Sequence, residues 1–267
     1  MTRVALLGVG LIGGSLGLAL RAAHPGHHVT GWDPDPQALR LALARGALEQ
    51  AAPGAAAAVA GAELVVLCAP LDGTLALLRE IRGALAPGSV VTDVAGAKRV
   101  VLDEARRALG EGAAFVGGHP LAGSERAGVD AASATLFRDA AWALCPLPGA
   151  PPAALARVEA LVRAAGARPL VLGAEAHDRA VAYVSHLPQV IARALAAGLA
   201  TRGPAAALAA GGFRSATRVA ASPAALWRPV LEANRDAVAA ELDEFADRLR
   251  AVARELREGR GPGPLYS

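Results

Sequence analysis

The chain has 267 residues, of which 54 % are hydrophobic, so it can bury a substantial core and is expected to fold as two domains. Its formal net charge is +3, but the basic residues are scattered among acids, few residues are aromatic, and no helix-turn-helix or zinc spacing occurs, which argues against nucleic acid as a partner. The longest apolar stretch is broken by proline, glycine and glutamate, so no segment is predicted to span a membrane.

Two further observations concern the compartment in which the protein works. The first residues are predicted to form a strand and lack the charged region and cleavage site of an export signal. Cys68 and Cys145 each lie inside an apolar run, which suits buried, reduced thiols better than a disulfide or a metal site. We therefore expect a soluble cytoplasmic protein.

The first two thirds of the chain alternate between apolar runs and helical stretches. Strands are predicted for the apolar runs, at residues 4–8, 28–33, 64–69, 89–94, 113–116, 141–145 and 169–172. The alanine-rich residues 51–60 are predicted to form a loop with a short helix. Longer helices are predicted at residues 11–23, 36–45, 74–85 and 152–165. Such alternation predicts an α/β fold built on a doubly wound, parallel, Rossmann-type sheet.

After about residue 173 no further strand is predicted. Residues 175–200 have helical apolar spacing. Pro188 removes the amide that would bond to the carbonyl group of Val184, so a kink is expected beside His186.

Two more helices are predicted near the end of the chain. Ser222 and Pro223 suit the cap and first position of one helix, and a long helix is expected over about 229–258. Its apolar residues recur every three, four or seven positions, a heptad-like seam that either packs within its own domain or forms a symmetric helical dimer interface. We therefore predict a dinucleotide-binding domain over residues 1–173 and an all-helical substrate and dimerisation domain over residues 174–267.

A Gly-Val-Gly-Leu-Ile-Gly run at residues 8–13 follows the first predicted strand and opens the first predicted helix. In dinucleotide-binding units such glycines permit a tight turn, let the pyrophosphate approach the backbone and let the helix pack on the sheet. Asp33, at the end of the second predicted strand, suits an acceptor for the adenosine ribose; the alternative is a purely structural turn with Asp33 as a helix cap. The predicted cofactor-binding residues are Gly8, Gly10, Leu11, Ile12, Gly13 and Asp33.

The residues after Asp33 indicate which dinucleotide is bound. Pro34 follows directly and the nearest downstream arginine is Arg40, so a 2′-phosphate would meet a carboxylate without an adjacent cation. NAD is therefore favoured over NADP.

The most informative stretch is Gly-Gly-His-Pro-Leu-Ala-Gly-Ser-Glu at residues 117–125, because it places a histidine where a predicted strand ends. The cofactor of an open parallel sheet lies across the carboxyl ends of the strands, so His119 is expected beside a bound nicotinamide, where a dehydrogenase needs its base. Lys98 is the single lysine of the chain and lies near Asp93. It is either a site residue whose role needs a compact ammonium group, or a lysine that is present by chance.

Two other polar residues stand out from their surroundings. His186 lies in a Ser-His-Leu-Pro run, and Arg218 closes a Gly-Gly-Phe-Arg-Ser-Ala-Thr-Arg run. Each has an ordinary explanation, a helix histidine beside a kink or an arginine in a solvated loop, but their combination with His119 favours a catalytic group. No metal site is predicted, since the clustered histidines form a surface loop of His24, His27 and His28.

These runs, in this order and followed by Trp227, resemble the prephenate dehydrogenase family over nearly the whole chain. The resemblance implies oxidative decarboxylation of prephenate, or of the related amino acid arogenate, with a nicotinamide cofactor, and a homodimer formed through the helical domain. It implies that His119 bonds to the ring hydroxyl group, Arg218 holds the ring carboxylate and His186 faces the substrate side chain. By the same resemblance the pocket is shaped or gated by Ser124, Glu125 and Trp227.

The chain departs from that family at one place. Many members carry a serine near the nicotinamide and the catalytic histidine, where this chain has Gly96. We therefore expect the orientation of His119 to depend on water or on backbone groups. The further predicted substrate-binding residues are Gly96, Lys98 and Gln189.

The choice between prephenate and arogenate depends on the charge near the substrate side chain. A pocket selective for arogenate should place a carboxylate near its ammonium group. Ser185 and Gln189, the neighbours of His186, are neutral, so prephenate is favoured. Asp178 would reverse this preference if the kink brought it close.

Three alternative functions remain open at this point. The nearest is an arogenate dehydrogenase or a dual-substrate cyclohexadienyl dehydrogenase. A 3-hydroxyacid dehydrogenase of similar architecture would be expected to use a lysine in the helical domain, where this chain has none. A non-enzymatic NAD-sensing module would need the cofactor motif but not the group formed by His119, His186 and Arg218.

Overall fold

The protein forms two compact units. The first unit comprises residues 1–177 and 222–230, and the second comprises residues 178–221 and 231–267. The computed structural model describes residues 2–24, 26–110, 113–124, 126–261 and 263. None of the helices in those ranges is long and apolar enough to cross a membrane.

The first unit is built on one sheet. Among the described residues its strands are β1 (Arg3–Leu7), β2 (His28–Trp32), β3 (Gln50–Ala51), β4 (Leu64–Leu67), β5 (Val90–Asp93), β6 (Phe115–Pro120), β7 (Ala141–Pro146) and β8 (Arg168–Val171). Their order in the sheet is β3-β2-β1-β4-β5-β6-β7-β8. The central strand β4 is buried along its whole length, which explains why the sequence shows continuous apolar runs there and not an alternation of polar and apolar residues.

The sheet is mostly parallel, and one pair of strands departs from the prediction. β6 and β7 are antiparallel, with Val116 opposite Pro146 and Pro120 opposite Trp142. An antiparallel pair needs no crossover helix, and in the described residues of the connection between these strands the helical structure is a 3-10 turn at Val129–Ala131. The sequence analysis places His119 at the end of a strand. Because β7 pairs with β6 as far as Pro120, His119 instead lies within β6.

Among the described residues six helices precede β8; the predicted ones are present, most with shifted ends, and the helix between β5 and β6 was not predicted. They are α1 (Leu11–Ala23), α2 (Pro36–Ala44), α3 (Ala55–Val59), α4 (Leu71–Ile81), α5 (Arg99–Leu109) and α6 (Pro152–Ala164). Asp35 caps α2, since its carboxylate accepts a hydrogen bond from the amide of Gln37 at 2.8 Å. α4 begins three residues earlier than predicted, so that the buried Thr74 lies inside the helix.

The remaining helices follow β8. They are α7 (Ala174–Val181), a π-helical turn (Ala182–His186), α8 (Leu187–Leu199), α9 (Pro204–Leu208), α10 (Gly211–Thr217), a 3-10 turn (Arg218–Ala221), α11 (Ala224–Ala233) and α12 (Arg235–Arg257). The disturbance expected beside His186 is present as the π turn, which lies immediately before the helix that carries Pro188.

The two helices predicted near the end of the chain are present, but the long one begins at Arg235 and not at about residue 229. α11 contains Pro229, and Pro223 precedes it without occupying its first helical position. The break falls at Asn234, which has a non-helical backbone with φ −114° and ψ 23°. Its side chain is buried and hydrogen-bonded to other elements, which compensates for the interrupted helix.

Candidate active site

The glycine run after β1 has the space that a dinucleotide needs. Gly8 has a φ of +97°, which glycine adopts readily. A Cβ atom at Gly13 would lie 2.0 Å from the carbonyl oxygen of Gly8, so only glycine lets α1 begin this close to the strand. A Cβ atom at Gly10 would meet nothing within 4 Å, and no side chain caps the first amides of α1, which start at Leu11 and Ile12. An open helix N-terminus of this kind suits a pyrophosphate.

Asp33 is tied to that glycine run. Its Oδ2 accepts a hydrogen bond from the amide of Val9 at 2.8 Å, and its Oδ1 accepts one from the amide of Asp35 at 2.9 Å. The cap of α2 is Asp35, so the alternative of Asp33 as a helix cap is wrong. Asp33 is half-buried, and a carboxylate retains acceptor capacity beyond these two bonds.

Cys68 lies beneath the glycine run, where a Cβ atom on Gly13 would be 3.1 Å from its own Cβ atom. Burial, together with the carboxylate of Asp93, raises the pKa of the Cys68 thiol above its ordinary value. The sulfur therefore stays protonated at neutral pH and is unsuited to act as a nucleophile.

A buried ion pair holds the backbone just before His119. Asp93, the last residue of β5, pairs with Lys98, and neither side chain has any exposed surface. Asp93 Oδ1 accepts a hydrogen bond from the amide of Gly118 at 3.0 Å, and Lys98 Nζ donates one to the Gly118 carbonyl group at 2.6 Å. The β5 and β6 register ends at Val116, so these side chains replace the missing ladder bonds at Gly118.

This arrangement corrects the expected role of Lys98. Its ammonium group is buried against Asp93 and Gly118, so it supports the strand and does not present a surface to a substrate. A Cβ atom at Gly118 would lie 2.4 Å from the Asp93 carbonyl oxygen, so the close approach of β5 also requires glycine there.

The two ring nitrogens of His119 face different surroundings. Nδ1 lies 2.9 Å from Nε2 of His177, and the two rings meet at an angle of 68°. A Cβ atom at Gly96 would lie 3.8 Å from both Cε1 and Nε2 of His119, so the Nε2 edge faces the loop after β5. The sequence predicted water or backbone groups as the support of His119, and the structure adds the imidazole of His177 at Nδ1.

The second unit contains its own histidine arrangement. His186 is 1 % exposed, and its Nδ1 lies 3.2 Å from Nδ2 of Asn234. The same Asn234 nitrogen donates a hydrogen bond to the carbonyl oxygen of Asp178 at 2.7 Å, which identifies it as the amide nitrogen. Because this nitrogen can only donate, Nδ1 of His186 must accept, and the ring carries its proton on Nε2.

Gln189 has a buried side-chain amide that makes no hydrogen bond within the described residues. It is 1 % exposed, and neither its Oε1 nor its Nε2 has a hydrogen-bond partner among the described residues. Buried polar groups are nearly always satisfied in folded proteins, so this amide is a candidate for a ligand contact.

The other predicted site residues are spread over both units. Arg218 is exposed and opens a 3-10 turn after α10, where a loop was expected. Trp227 is half-buried in α11 and belongs to the first unit. Ser124 is exposed, and its hydroxyl accepts a hydrogen bond from the amide of Arg126 at 3.1 Å. Glu125 lies outside the described residues.

Sequence reasoning missed two residues that support the predicted histidines. His177 lies in an amphipathic stretch where a histidine is ordinarily a surface residue, and nothing in the spacing distinguishes it. Asn234 did leave a signal, because it falls in the seven-residue gap of the apolar seam between Leu231 and Val238. A polar residue at such a seam position indicates a hydrogen-bonding role.

A mostly parallel sheet, a glycine run at its first strand-to-helix turn and a histidine beside the carboxyl end of a neighbouring strand define a dinucleotide-binding oxidoreductase. Comparison with known proteins makes the class specific. The family model described as prephenate dehydrogenase, nucleotide-binding domain, matches residues 16–171, and the model for the prephenate dehydrogenase dimerization domain matches residues 173–264. The chain belongs to the prephenate dehydrogenase family.

Individual relatives agree with this assignment. The prephenate dehydrogenase of Bacillus subtilis is 33 % identical over 259 residues, which cover 93 % of this chain and 68 % of that protein. The prephenate dehydrogenase of A. aeolicus, solved with hydroxyphenyl propionate and NAD+, superimposes with a TM-score of 0.90 at 25 % identity, covering 97 % of this chain and 92 % of the other. Synechocystis arogenate dehydrogenase superimposes with a TM-score of 0.81 at 29 % identity, covering 97 % and 94 %.

Replacing Lys98 with methionine should strongly destabilise the first unit, because Asp93 would keep a buried charge without its partner. The expected loss is about 3 to 5 kcal/mol in the free energy of unfolding, measured by urea titration and circular dichroism. The double variant Asp93→Asn/Lys98→Met leaves no unpaired charge and should recover a large part of that loss.

The control for Lys98→Met is Arg163→Ala, which removes an exposed ion pair with Glu159 on α6 and should cost no more than about 1 kcal/mol. Equal losses for Lys98→Met and the control, or no recovery in the double variant, would contradict the role assigned to the Asp93 and Lys98 pair.

Proposed function

We propose that this protein catalyses the oxidative decarboxylation of prephenate to 4-hydroxyphenylpyruvate with NAD, in tyrosine biosynthesis. The observation that carries the proposal is the setting of His119. Its Nδ1 is engaged by His177, and its Nε2 edge faces the loop that contains Gly96. This loop and the glycine run both follow the carboxyl ends of parallel strands, β5 and β1, and therefore lie at the same edge of the sheet.

The reaction needs a base that accepts a proton and a residue that binds the ring carboxylate. Prephenate has a hydroxyl group on the carbon that loses hydride and a carboxylate on the opposite ring carbon. NAD, when bound, supplies the hydride acceptor. His119 takes the hydroxyl proton at Nε2 as the hydride leaves, the bond to the carboxylate breaks so that its electron pair completes the aromatic ring, and the proton returns to the ring oxygen.

The remaining site residues have supporting roles in the proposal. Arg218 would hold the ring carboxylate with its planar guanidinium group. His186 would donate its Nε2 proton to an acceptor on the substrate side chain. The other proposed substrate contacts are Ser124, Glu125, Gln189, Trp227 and the space beside Gly96.

Prephenate fits this arrangement better than arogenate does. The side chain of prephenate carries a ketone, which accepts hydrogen bonds, whereas the ammonium group of arogenate can only donate them. A His186 that is protonated on Nε2 offers a donor and so favours the ketone. Arogenate stays the second candidate, because a relative of 29 % identity is an arogenate dehydrogenase.

We also propose that the protein is a cytoplasmic homodimer. Leu195, Leu208 and Leu249 are exposed in the second unit and line an apolar groove of about 730 Å³. In α12 only Val238 is buried, so most of the heptad-like seam is not covered within its own unit. A second copy of the chain would cover it, in line with the match to a dimerization domain. Cys68 and Cys145 are not joined in a disulfide, which suits a reducing compartment.

The proposed reaction is tested by following NADH absorbance with NAD and prephenate, and then with arogenate. We expect a higher kcat/KM for prephenate, and a lower one when NADP replaces NAD, because the carboxylate of Asp33 would repel the 2′-phosphate. No NADH with either substrate would overturn the proposal, and a preference for arogenate would establish the second candidate.

Replacing His119 with asparagine should lower kcat by about 10² to 10⁴-fold, because the proton acceptor at Nε2 is lost. The affinity for NAD, measured by calorimetry without substrate, should stay near that of the wild type. His24→Asn, in an exposed loop, is the control and should keep full activity. A His119→Asn enzyme with normal kcat would show that His119 is not the base.

Replacing Arg218 with alanine should raise the KM for prephenate by about 30-fold or more, because a carboxylate loses its charged partner. Arg218→Lys should recover only part of the loss, since an ammonium group cannot make two parallel hydrogen bonds to a carboxylate. Arg214→Ala, one turn earlier on α10 and equally exposed, is the matched control. Equal effects of the Arg214 and Arg218 changes would remove Arg218 from the substrate site.

A further inference from the structure

We propose that His177 is a positioning residue that holds His119 in the tautomer a base requires. This inference rests on the proposed function of His119. The contact between Nδ1 of His119 and Nε2 of His177, at 2.9 Å, carries it.

The tautomer follows from counting hydrogens. A neutral imidazole has one N–H group and one nitrogen lone pair. If Nε2 of His119 is to accept the substrate proton, its lone pair must be available and the ring hydrogen must be on Nδ1. Nδ1 then donates to Nε2 of His177, which must be the acceptor and carry its own hydrogen on Nδ1. The opposite arrangement would place a hydrogen on Nε2 of His119 and block proton acceptance.

The fold makes His177 a firm support. It is 1 % exposed, and its backbone amide donates a hydrogen bond to the carbonyl group of Gly173 at 2.9 Å, in the first turn of α7. A hydrogen bond shielded from water is electrostatically stronger than an exposed one. Gly96, which faces the other edge of the His119 ring, has no side chain that could take over this task.

The contact with His177 would also stabilise the protonated form of His119. When His119 takes the hydroxyl proton it becomes an imidazolium, and the N–H group at Nδ1 then faces a neutral acceptor. Hydrogen bonds from charged donors are stronger than neutral ones, so the contact with His177 strengthens as the proton is transferred. An interaction that grows along the reaction lowers the barrier and changes kcat more than KM.

The test compares His177→Gln with His177→Leu. Glutamine can place an amide oxygen near the position of Nε2 and so keep an acceptor, whereas leucine fills space without one. The tautomer of His119 is read from ¹⁵N histidine NMR spectra, in which its signals are identified by their absence in His119→Asn. Activity, the KM for prephenate, NAD affinity and thermal stability are measured on the same proteins.

We expect Nδ1 of His119 to be protonated and Nε2 unprotonated in the wild type and in His177→Gln. In His177→Leu the two tautomers should mix, and kcat should fall by about tenfold or more, with the KM for prephenate and the affinity for NAD little changed. His177→Gln should keep most of the wild-type kcat.

Two results would overturn the inference. One is a wild-type His119 protonated on Nε2, which decides the matter even if His177→Leu fails to fold. The other is a folded His177→Leu protein with the wild-type tautomer and kcat. Neither result decides the proposed reaction, which is overturned by the absence of NADH with both prephenate and arogenate.

Discussion

The position of His119 depends on a buried ion pair at the end of the neighbouring strand. Asp93 and Lys98 have no exposed side-chain surface and bond to both the amide and the carbonyl group of Gly118. Removing two charges from water costs several kcal/mol for each ion, so an apolar pair of equal volume could be as stable. Apolar side chains, however, could not bond to the amide and carbonyl group of Gly118. These groups lie beyond Val116, where the pairing between β5 and β6 ends. The ion pair therefore contributes a defined backbone position for the base more than it contributes stability.

Consecutive residues of α7 take part in the contacts of the two predicted histidines. The side chain of His177 contacts Nδ1 of His119, and the carbonyl group of Asp178 orients the Asn234 amide that contacts Nδ1 of His186. An acceptor on Nδ1 leaves a ring able to accept a proton at Nε2, whereas a donor on Nδ1 leaves a ring that donates from Nε2. Prephenate, the proposed substrate, presents a hydroxyl donor on its ring and a ketone acceptor on its side chain, so the tautomer of each histidine decides whether it can play its proposed role.

The sequence predicted the mostly parallel sheet and the glycine run because each leaves a local pattern of apolar period, spacing or turn residues, whereas the roles of His119, His186 and Arg218 stay predictions. It could not predict the direction of β7, since a buried strand has the same apolar run whether it pairs parallel or antiparallel. The sequence analysis ends the predicted strand at residue 116, before Gly117 and Gly118. The pairing with β7 extends this strand to Pro120, so that it includes His119. His177 escaped notice because its function is a contact between residues 58 positions apart, which no local pattern records.

The resemblance implies a serine at the position of Gly96 in many relatives, which would support the catalytic histidine from another side. A hydroxyl group near Nε2 would bond to the reactive edge of His119 and compete there with the substrate hydroxyl group. Support at Nδ1 acts on the ring edge away from Gly96, and it depends on a rigid partner. His177 meets this condition because it is buried and belongs to the first turn of a helix. In the proposed arrangement Gly96 and His177 therefore act together: Gly96 places no side chain beside Nε2 of His119, and His177 holds the ring at Nδ1.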